Sequence, residues 1–193
     1  MEPKIEKWWK NAGQKKKGRY KHLYKDLRFN IREPILDIGG GAGTFLKYLK
    51  INNATILDMG GEDSIVGNYN FINANITKKL PRLDKKFKTI FAMETLEHIK
   101  NPLYLMAQVY DILEDTGICY IAVPYTPLDV KREKQENSFN CHVCRWKLKG
   151  IVDQMQKLGF LVNIVQKRRR FKNTAFYLPH CWIVLALKKR MEH

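Results

Sequence analysis

Acidic residues are scarce in this chain. Its 193 residues carry 19 Asp and Glu against 35 Lys and Arg, a formal net charge of +16. Cysteine is scarcer still: four residues cannot staple a chain of this length, so a disulfide scaffold is excluded and a reducing compartment suits the composition. No run reaches the roughly 18 apolar residues that a membrane-spanning helix needs, so no transmembrane segment is expected. Residues 1–10 (MEPKIEKWWK) are polar and lack the apolar core of a secretory signal, and a cytoplasmic location is therefore expected. Internal repeats and low-complexity tracts are missing too. What remains is the length of one domain with 45% apolar residues, enough for a substantial core.

The positive charge is unevenly spread. Residues 1–33 hold eleven basic and four acidic residues, a net of +7; residues 34–130 hold nine and eleven, a net of −2; residues 131–193 hold fifteen and four, a net of +11. Basic flanks around a near-neutral middle suit nucleic acid, an anionic membrane surface or an acidic protein, and they equally suit a solvated Lys-rich surface. Charge steers association without specifying a partner.

Residues 1–30 read as two short helices anchored by Trp8, Trp9, Leu23, Tyr24 and Leu27 and interrupted by the KKKGR run at 15–19. Pro34 ends this region. Strand and helix signals then alternate. Strands are expected at 35–38, 54–58, 70–74, 89–93 and 118–123, with helices at 44–49 and 102–113. A polar, irregular stretch covers 125–144. A helix over 146–158 stops at Gly159, and two further strands follow at 160–165 and 182–187. Alternation of this kind predicts an α/β fold with a mostly parallel sheet covered on both faces. The last two strands have no helix between them and should pair antiparallel. Ligands of such sheets bind at the carboxyl ends of the strands.

The first strand runs into Asp37-Ile38-Gly39-Gly40-Gly41-Ala42-Gly43. Glycines admit unusual backbone angles and close approach of a ligand. A P-loop needs Gly-Lys-Ser/Thr after the glycines, and Thr44-Phe45-Leu46 stands there instead. The dinucleotide spacing G-x-G-x-x-G/A fails in both registers, ending on Thr44 or Leu46. A carboxylate at Asp37 would also repel a pyrophosphate. It suits a ligand with positive charge, such as S-adenosyl-L-methionine with its amino group and sulfonium. Asp58 ends the second strand 21 residues after Asp37, where an acid can accept both hydroxyls of a ribose. Glu62 and Asp63 lie near enough to serve in another register. A tight strand-to-helix turn with no ligand is the bland alternative.

With these residues in place the sequence resembles the class I (seven-stranded, Rossmann-like) S-adenosylmethionine-dependent methyltransferases, most of all the ubiquinone-biosynthesis-like branch. The likeness runs from about Ile35 to Leu187. Residues 35–43 match the family's acid-x-Gly-x-Gly-x-Gly motif, Asp58 its ribose-binding acid, and Met93-Glu94-Thr95-Leu96-Glu97-His98-Ile99 its segment after the fourth strand. Residues 113–124 and Leu158-Gly159-Phe160 match the approaches to its fifth and sixth strands. The resemblance implies a three-layer fold whose seven-stranded sheet is mostly parallel with an antiparallel last strand. It also implies a single domain: an N-terminal helical lid at 1–33, a cofactor-binding half at 34–124 and a substrate-side half at 125–193. The cofactor implied is S-adenosyl-L-methionine, held by Asp37, Gly39, Gly40, Gly41, Gly43, Asp58, Met59, Asn75, Ile76, Met93 and Glu94. Asn75 stands where the family often has an acid touching the adenine amino group, and its carbonyl oxygen could accept that bond. Lys88 stands where the family usually has Asp.

Methyl transfer from a sulfonium needs alignment and exclusion of water more than it needs a catalytic group. A general base is required only when the acceptor must lose a proton. His98 and His142 are the candidates, each with a bracing role as its alternative. Trp8, Trp9 and Tyr20 either close over the cofactor or pack on the sheet. Lys167–Arg170 (KRRR) either grips phosphates or forms a solvated hairpin tip. Cys141-His142-Val143-Cys144 has a metal-like look with His180 and Cys181 in reserve, but there is no second Cys pair, and no metal is expected. Neither Asn/Asp-Pro-Pro-Tyr nor a Pro-Cys nucleophile is present, which excludes two classes of nucleic-acid methylation. The acceptor is left as a small molecule, a protein or a nucleic acid such as RNA, and the basic flanks hint that it is anionic. Nothing in the sequence sets an oligomeric state. The competing expectation is a binding module of the same fold without catalysis, with nucleic acid as a candidate ligand, motivated by Lys88 and Asn75.

Overall fold

The computed structural model describes residues 30–124, 148–167 and 181–188. Residues 1–29 of the expected helical region at 1–30, the 125–144 stretch with His142, and Arg168–Arg170 lie outside the described residues. The elements run β1 (Ile35–Ile38), α1 (Thr44–Tyr48), β2 (Thr55–Asp58), a 3-10 turn (Glu62–Ser64), β3 (Asn70–Asn73), β4 (Phe87–Met93) and a second 3-10 turn (Leu96–His98). They continue with α2 (Pro102–Ile112), β5 (Leu113–Pro124), α3 (Leu148–Lys157), β6 (Phe160–Lys167) and β7 (Cys181–Lys188).

The strands form one seven-stranded sheet in the order β3-β2-β1-β4-β5-β7-β6. β1 is parallel to β2 and β4, β2 to β3, and β4 to β5. β7 is antiparallel to both β5 and β6, so the last strand enters between them in reverse. The chain has the Rossmann-like α/β architecture that the sequence implies. The switch point lies between β1, which leads outward to β2, and β4, which leads the other way; this is where such sheets hold ligands.

The sheet separates two apolar layers by the period of two in its strands. Leu36, Ile38, Leu57, Ile90, Cys119, Ile121 and Val123 face Leu105, Met106 and Val109 of α2 and Ile151 and Met155 of α3. Ile35, Ile56, Phe91, Met93, Ile118, Tyr120 and Ala122 face Phe45 and Leu46 of α1 and Leu49 just beyond it. In β4 the alternation slips, because Phe87 and Ile90 share one face three residues apart. A break in register between Phe87 and Thr89 absorbs the extra residue, and residues 114–117 of β5 take up the same irregularity, since Leu113 pairs with Phe87 and Ile118 with Thr89. Strand β5 therefore begins at Leu113, which the sequence pattern places in the preceding helix. On the α1 side the Phe91 ring meets Phe45 edge-on at 5.1 Å and stacks on Tyr120 at 5.4 Å, contacts worth about 0.5–1.5 kcal/mol each beyond the area they bury.

Helix α2 begins where sequence chemistry says it should. Asn101 caps it, its side chain accepting from the Tyr104 N–H at 3.2 Å, and Pro102 takes the first turn, where its missing N–H does no harm. Among the described residues the links from β2 to β3 and from β3 to β4 hold no α-helix. Residues 74–86 instead cross the α2 face as an irregular strap, pinned by Ile76 and Leu80 in the core and by the Leu80 N–H, which donates to Gln108 Oε1 at 2.8 Å.

Candidate functional site

The carboxyl ends of β1, β2 and β4 converge on the glycine loop. Gly39, Gly41 and Gly43 have φ of 72°, 53° and 74°. At Gly39 the need for glycine is double. Its φ lies in the left-handed region, and a Cβ there would fall 2.5 Å from Thr95 Oγ1. Thr95 is itself buried, and its hydroxyl donates to the Ile38 carbonyl at 3.0 Å, tying the end of β1 to the segment after β4. The Gly39 N–H donates to the Leu57 carbonyl at 2.8 Å, and the Gly43 N–H closes the turn onto the Gly40 carbonyl at 3.0 Å.

Asp37 is 1% exposed and reaches under this loop: a Cβ on Gly40 would lie 2.6 Å from Asp37 Oδ2. Gly40 is thus the residue that makes room for the buried acid. Tyr69 also senses that charge. Burial raises its hydroxyl above the ordinary range and the Asp37 carboxylate adds to the shift, while the hydroxyl donates to the Ile51 carbonyl at 3.0 Å.

Asp58 is 5% exposed and is wired into the same loop. Its Oδ2 accepts from the Gly41 N–H at 2.8 Å and its Oδ1 from the Gly60 N–H at 3.2 Å. Burial pushes its carboxyl above the usual value, and hydrogen bonds from the backbone at Gly41, Gly60 and Met59 pull in the opposite direction. Glu62 and Asp63, the alternatives from sequence, are exposed on the 3-10 turn beyond. Met59 follows Asp58 and is 60% exposed, an apolar side chain held in solvent at the rim.

On the other side of the switch point, Met93 is buried in the α1-side core and Glu94 is half-buried with φ of 56°, its N–H donating to the Ala122 carbonyl at 2.8 Å. A positive φ in a residue that is not glycine is uncommon and belongs at a site where the surroundings impose it. Glu97 is buried, and His98 next to it is exposed with Nε2 3.9 Å from Glu97 Oε1. Asn75 is exposed and its Oδ1 accepts from both the N–H and the hydroxyl of Thr77, at 3.0 and 2.6 Å. Ile76 buries its side chain in the α2-side core.

The structure therefore gathers Gly39, Gly40, Gly41, Gly43 and Asp58 into one hydrogen-bonded unit with Asp37 beneath it, Met59 at its rim and Met93 and Glu94 at the end of the neighbouring β4. Sequence reasoning missed Thr95 and Tyr69. The signal for Thr95 was its place between the end of β4 and the Leu96-Glu97-His98 turn, but a lone threonine carries no spacing rule, and Tyr69 has none either. Lys88 lies at the opposite end of the sheet: its N–H donates to the Pro34 carbonyl at 3.0 Å, before β1 begins. Among the described residues no group of three or more His, Cys, Asp or Glu could hold a metal ion.

Two buried carboxylates around a glycine-rich loop repel a phosphate and suit a cationic ligand with hydroxyl donors, the chemistry of S-adenosylmethionine. Comparison with known proteins agrees. A family model described as a methyltransferase domain matches residues 8–164. A search of curated proteins finds no match. Among solved structures, a chain of the complex between the Haloferax volcanii Trm112 methyltransferase activator and a methyltransferase is similar at 17% identity, covering 96% of each chain with a TM-score of 0.73. An S-adenosylmethionine-dependent methyltransferase from Thermotoga maritima is similar at 19% identity, covering 96% of this chain and 95% of its own, with a TM-score of 0.71. Magnesium protoporphyrin IX methyltransferase from Synechocystis, solved with bound S-adenosylhomocysteine, is similar at 14% identity, covering 92% and 84%, with a TM-score of 0.64. The glycine loop with its two acids and the seven-stranded order around it place this chain in the methyltransferase-domain family, the class I fold whose cofactor is S-adenosyl-L-methionine.

Proposed function

We propose that the chain is an active S-adenosylmethionine-dependent methyltransferase whose cofactor lies across the glycine loop. The observation that carries this reading is the coupling of Asp58 to Gly41: the loop and the second acid are built as one piece. Asp58 Oδ2 accepts from the Gly41 N–H and Oδ1 from the Gly60 N–H. A carboxylate has about four acceptor positions, so acceptor capacity is left for the ribose. Asp37 holds the amino end, directly or through water. Met59 offers an apolar side chain to the adenine ring, and Met93, Glu94 and the backbone of 39–43 and 76 complete the lining.

At Asn75 the carbonyl oxygen is already engaged by Thr77. The amide NH2 is the group left for adenine, and it would donate to a ring nitrogen. This is the reverse of the acceptor role that an acid plays at that position. The bound cofactor supplies an activated methyl group on a sulfonium, and the chain's residues orient it and keep water away. His98 and His142 serve as bases where the acceptor must shed a proton. Asn101, not His98, caps α2, which removes one bracing role from His98.

The reading of a non-catalytic module of the same fold rests on Lys88 and Asn75. Lys88 is remote from the loop, so only Asn75 supports it. The basic flanks favour an anionic acceptor. Incubating the full chain with methyl-tritiated S-adenosylmethionine and fractionated pools of small molecules, proteins and RNA tests the proposal. Label should enter an anionic pool. A chain that binds the cofactor but labels no pool would be the non-catalytic module.

A further inference from the structure

The middle of the chain, near neutral in total, is strongly polarised. From the link after β3 into the start of β4, residues 78–88 carry Lys78, Lys79, Arg82, Lys85, Lys86 and Lys88 against the single acid Asp84. The remainder of 34–130 then holds three basic and ten acidic residues, a net of −7. Five of the six cations are exposed and Lys88 is half-buried. None of them is in an ion pair among the described residues. The Lys85 Nζ lies 5.7 Å from the Phe87 ring centroid.

This strap is fixed from beneath. Ile76, Leu80 and Phe87 are in the core, Leu83 packs against it, and Leu80 is bonded to Gln108 of α2. Gln108 Nε2 in turn donates to the Tyr104 carbonyl at 3.2 Å, and Tyr104 is an exposed aromatic one turn away on α2. The strap starts at the carboxyl end of β3, where Asn73 pairs with Asp58, and ends beside Pro34 and Leu113 at the opposite end of the sheet. It is a row of cations laid along the height of the sheet on the α2 side, leading away from the carboxyl ends of the strands.

We propose that this strap, Lys78 to Lys88, is a binding surface for the phosphodiester backbone of a nucleic acid. Uncompensated cations on a preformed scaffold release counterions from a phosphate chain with little ordering of the protein. A duplex presents a charge about every 1.7 Å of its axis, so a row running the height of the sheet meets several phosphates at once. A membrane surface fits less well, because the strap exposes no large apolar side chain to insert between lipids. An acidic protein fits less well too, since protein interfaces deplete Lys and seat apolar or aromatic anchors at their centre. Tyr104 gives the strap one exposed ring on which an unpaired base can stack.

The test needs no cofactor, so its failure is separable from failure of the methyltransferase reading. The full chain is titrated into a fluorescein-labelled unstructured RNA oligonucleotide, into the matching DNA, and into phosphatidylserine vesicles, over a range of salt. A variant with Lys78→Gln, Lys79→Gln, Arg82→Gln, Lys85→Gln and Lys86→Gln is compared with a flank variant, Lys167→Gln, Arg168→Gln, Arg169→Gln and Arg170→Gln. The strap variant should bind at least about tenfold more weakly, and its slope of log affinity on log salt should be shallower by about 3, at roughly 0.7 for each phosphate no longer neutralised. Equal losses on RNA and DNA identify the shared backbone as the ligand, and a loss on RNA alone identifies RNA. Circular dichroism and the thermal midpoint check folding. If the fivefold variant does not fold, the pairs Lys78/Lys79 and Lys85/Lys86 are changed separately and should each show part of the loss. The proposal is overturned by absence of binding to either nucleic acid, by unchanged affinity and slope in the strap variants, or by strap-dependent binding to vesicles alone.

Discussion

Replacing Asp58 separates its two roles, because the structure gives it a structural bond and the proposal gives it a ligand. Asp58→Ala removes the acceptor of two buried N–H groups, those of Gly41 and Gly60. Leaving a buried donor unpaired costs about 1–3 kcal/mol; water reaching the rim lowers the sum, so a loss of about 2–4 kcal/mol is expected. For a chain of this size each kcal/mol lowers Tm by about 2–4 °C, which gives a fall of about 5–15 °C. Asp58→Asn keeps one oxygen, which can go on accepting from Gly41, but presents an NH2 to the Gly60 N–H. It should lose about 1–2 kcal/mol. If Asp58 also accepts the ribose hydroxyls, Asp58→Ala should weaken S-adenosylmethionine binding by about 1.5–3 kcal/mol, on the order of 10–150-fold. Differential scanning calorimetry and isothermal titration on the same preparations read the two effects. If both variants lose Tm while cofactor affinity stays within about twofold, Asp58 is a brace for the loop and the ribose assignment is wrong.

Asp58 also predicts a pH dependence. Burial raises its carboxyl above the ordinary value of 3.8. Between that value and the raised one the folded state holds more protons than the unfolded state, so this group's contribution to stability falls as pH rises through the window and stays low above it. Cofactor binding that needs the ionised carboxylate should have the opposite trend, weakening as pH drops through the same window; titrations of the wild type that weaken no more than those of Asp58→Asn would refute this. Gly40→Ala should abolish cofactor binding, because the new methyl would displace the Asp37 carboxylate 2.6 Å away; near-normal affinity would show that Asp37 does not meet the ligand. The Tyr120 hydroxyl is buried with no hydrogen-bond partner among the described residues, and burial pushes its ionisation up to about 12. Tyr120→Phe should leave stability unchanged or raise it by up to about 1 kcal/mol in denaturant titration, and a loss of more than about 1 kcal/mol would reveal a partner for that hydroxyl.

Much of the architecture was legible because its signals are local. The 35–38 strand runs straight into glycines, the 102–112 helix has its own cap and N-terminal proline, and the 160–167 and 181–188 strands have no helical signal between them. The antiparallel last strand followed from that gap. What stayed hidden depends on tertiary pairing. Leu113 fits a helix by its spacing but pairs with Phe87, and the irregularity at 114–117 arises in the pairing of β5 with β4. At the site, the glycine pattern and both acids could be read from spacing. Their joining through the Gly41 N–H could not, since it spans 17 residues and depends on the turn. Thr95 illustrates the same limit: its bond to Ile38 links residues 57 apart. The basic strap is hidden for a different reason, because acids elsewhere in the middle of the chain cancel its charge in any regional sum.

The central claim is that the glycine loop and its two acids form a methyl-donor site. A crystal of the full chain soaked with millimolar S-adenosylhomocysteine tests it most directly. The account predicts density along residues 39–43, with the ribose hydroxyls on Asp58 and the amino end toward Asp37. A loop without density in the soaked crystal, or density with the ribose away from Asp58, would contradict it.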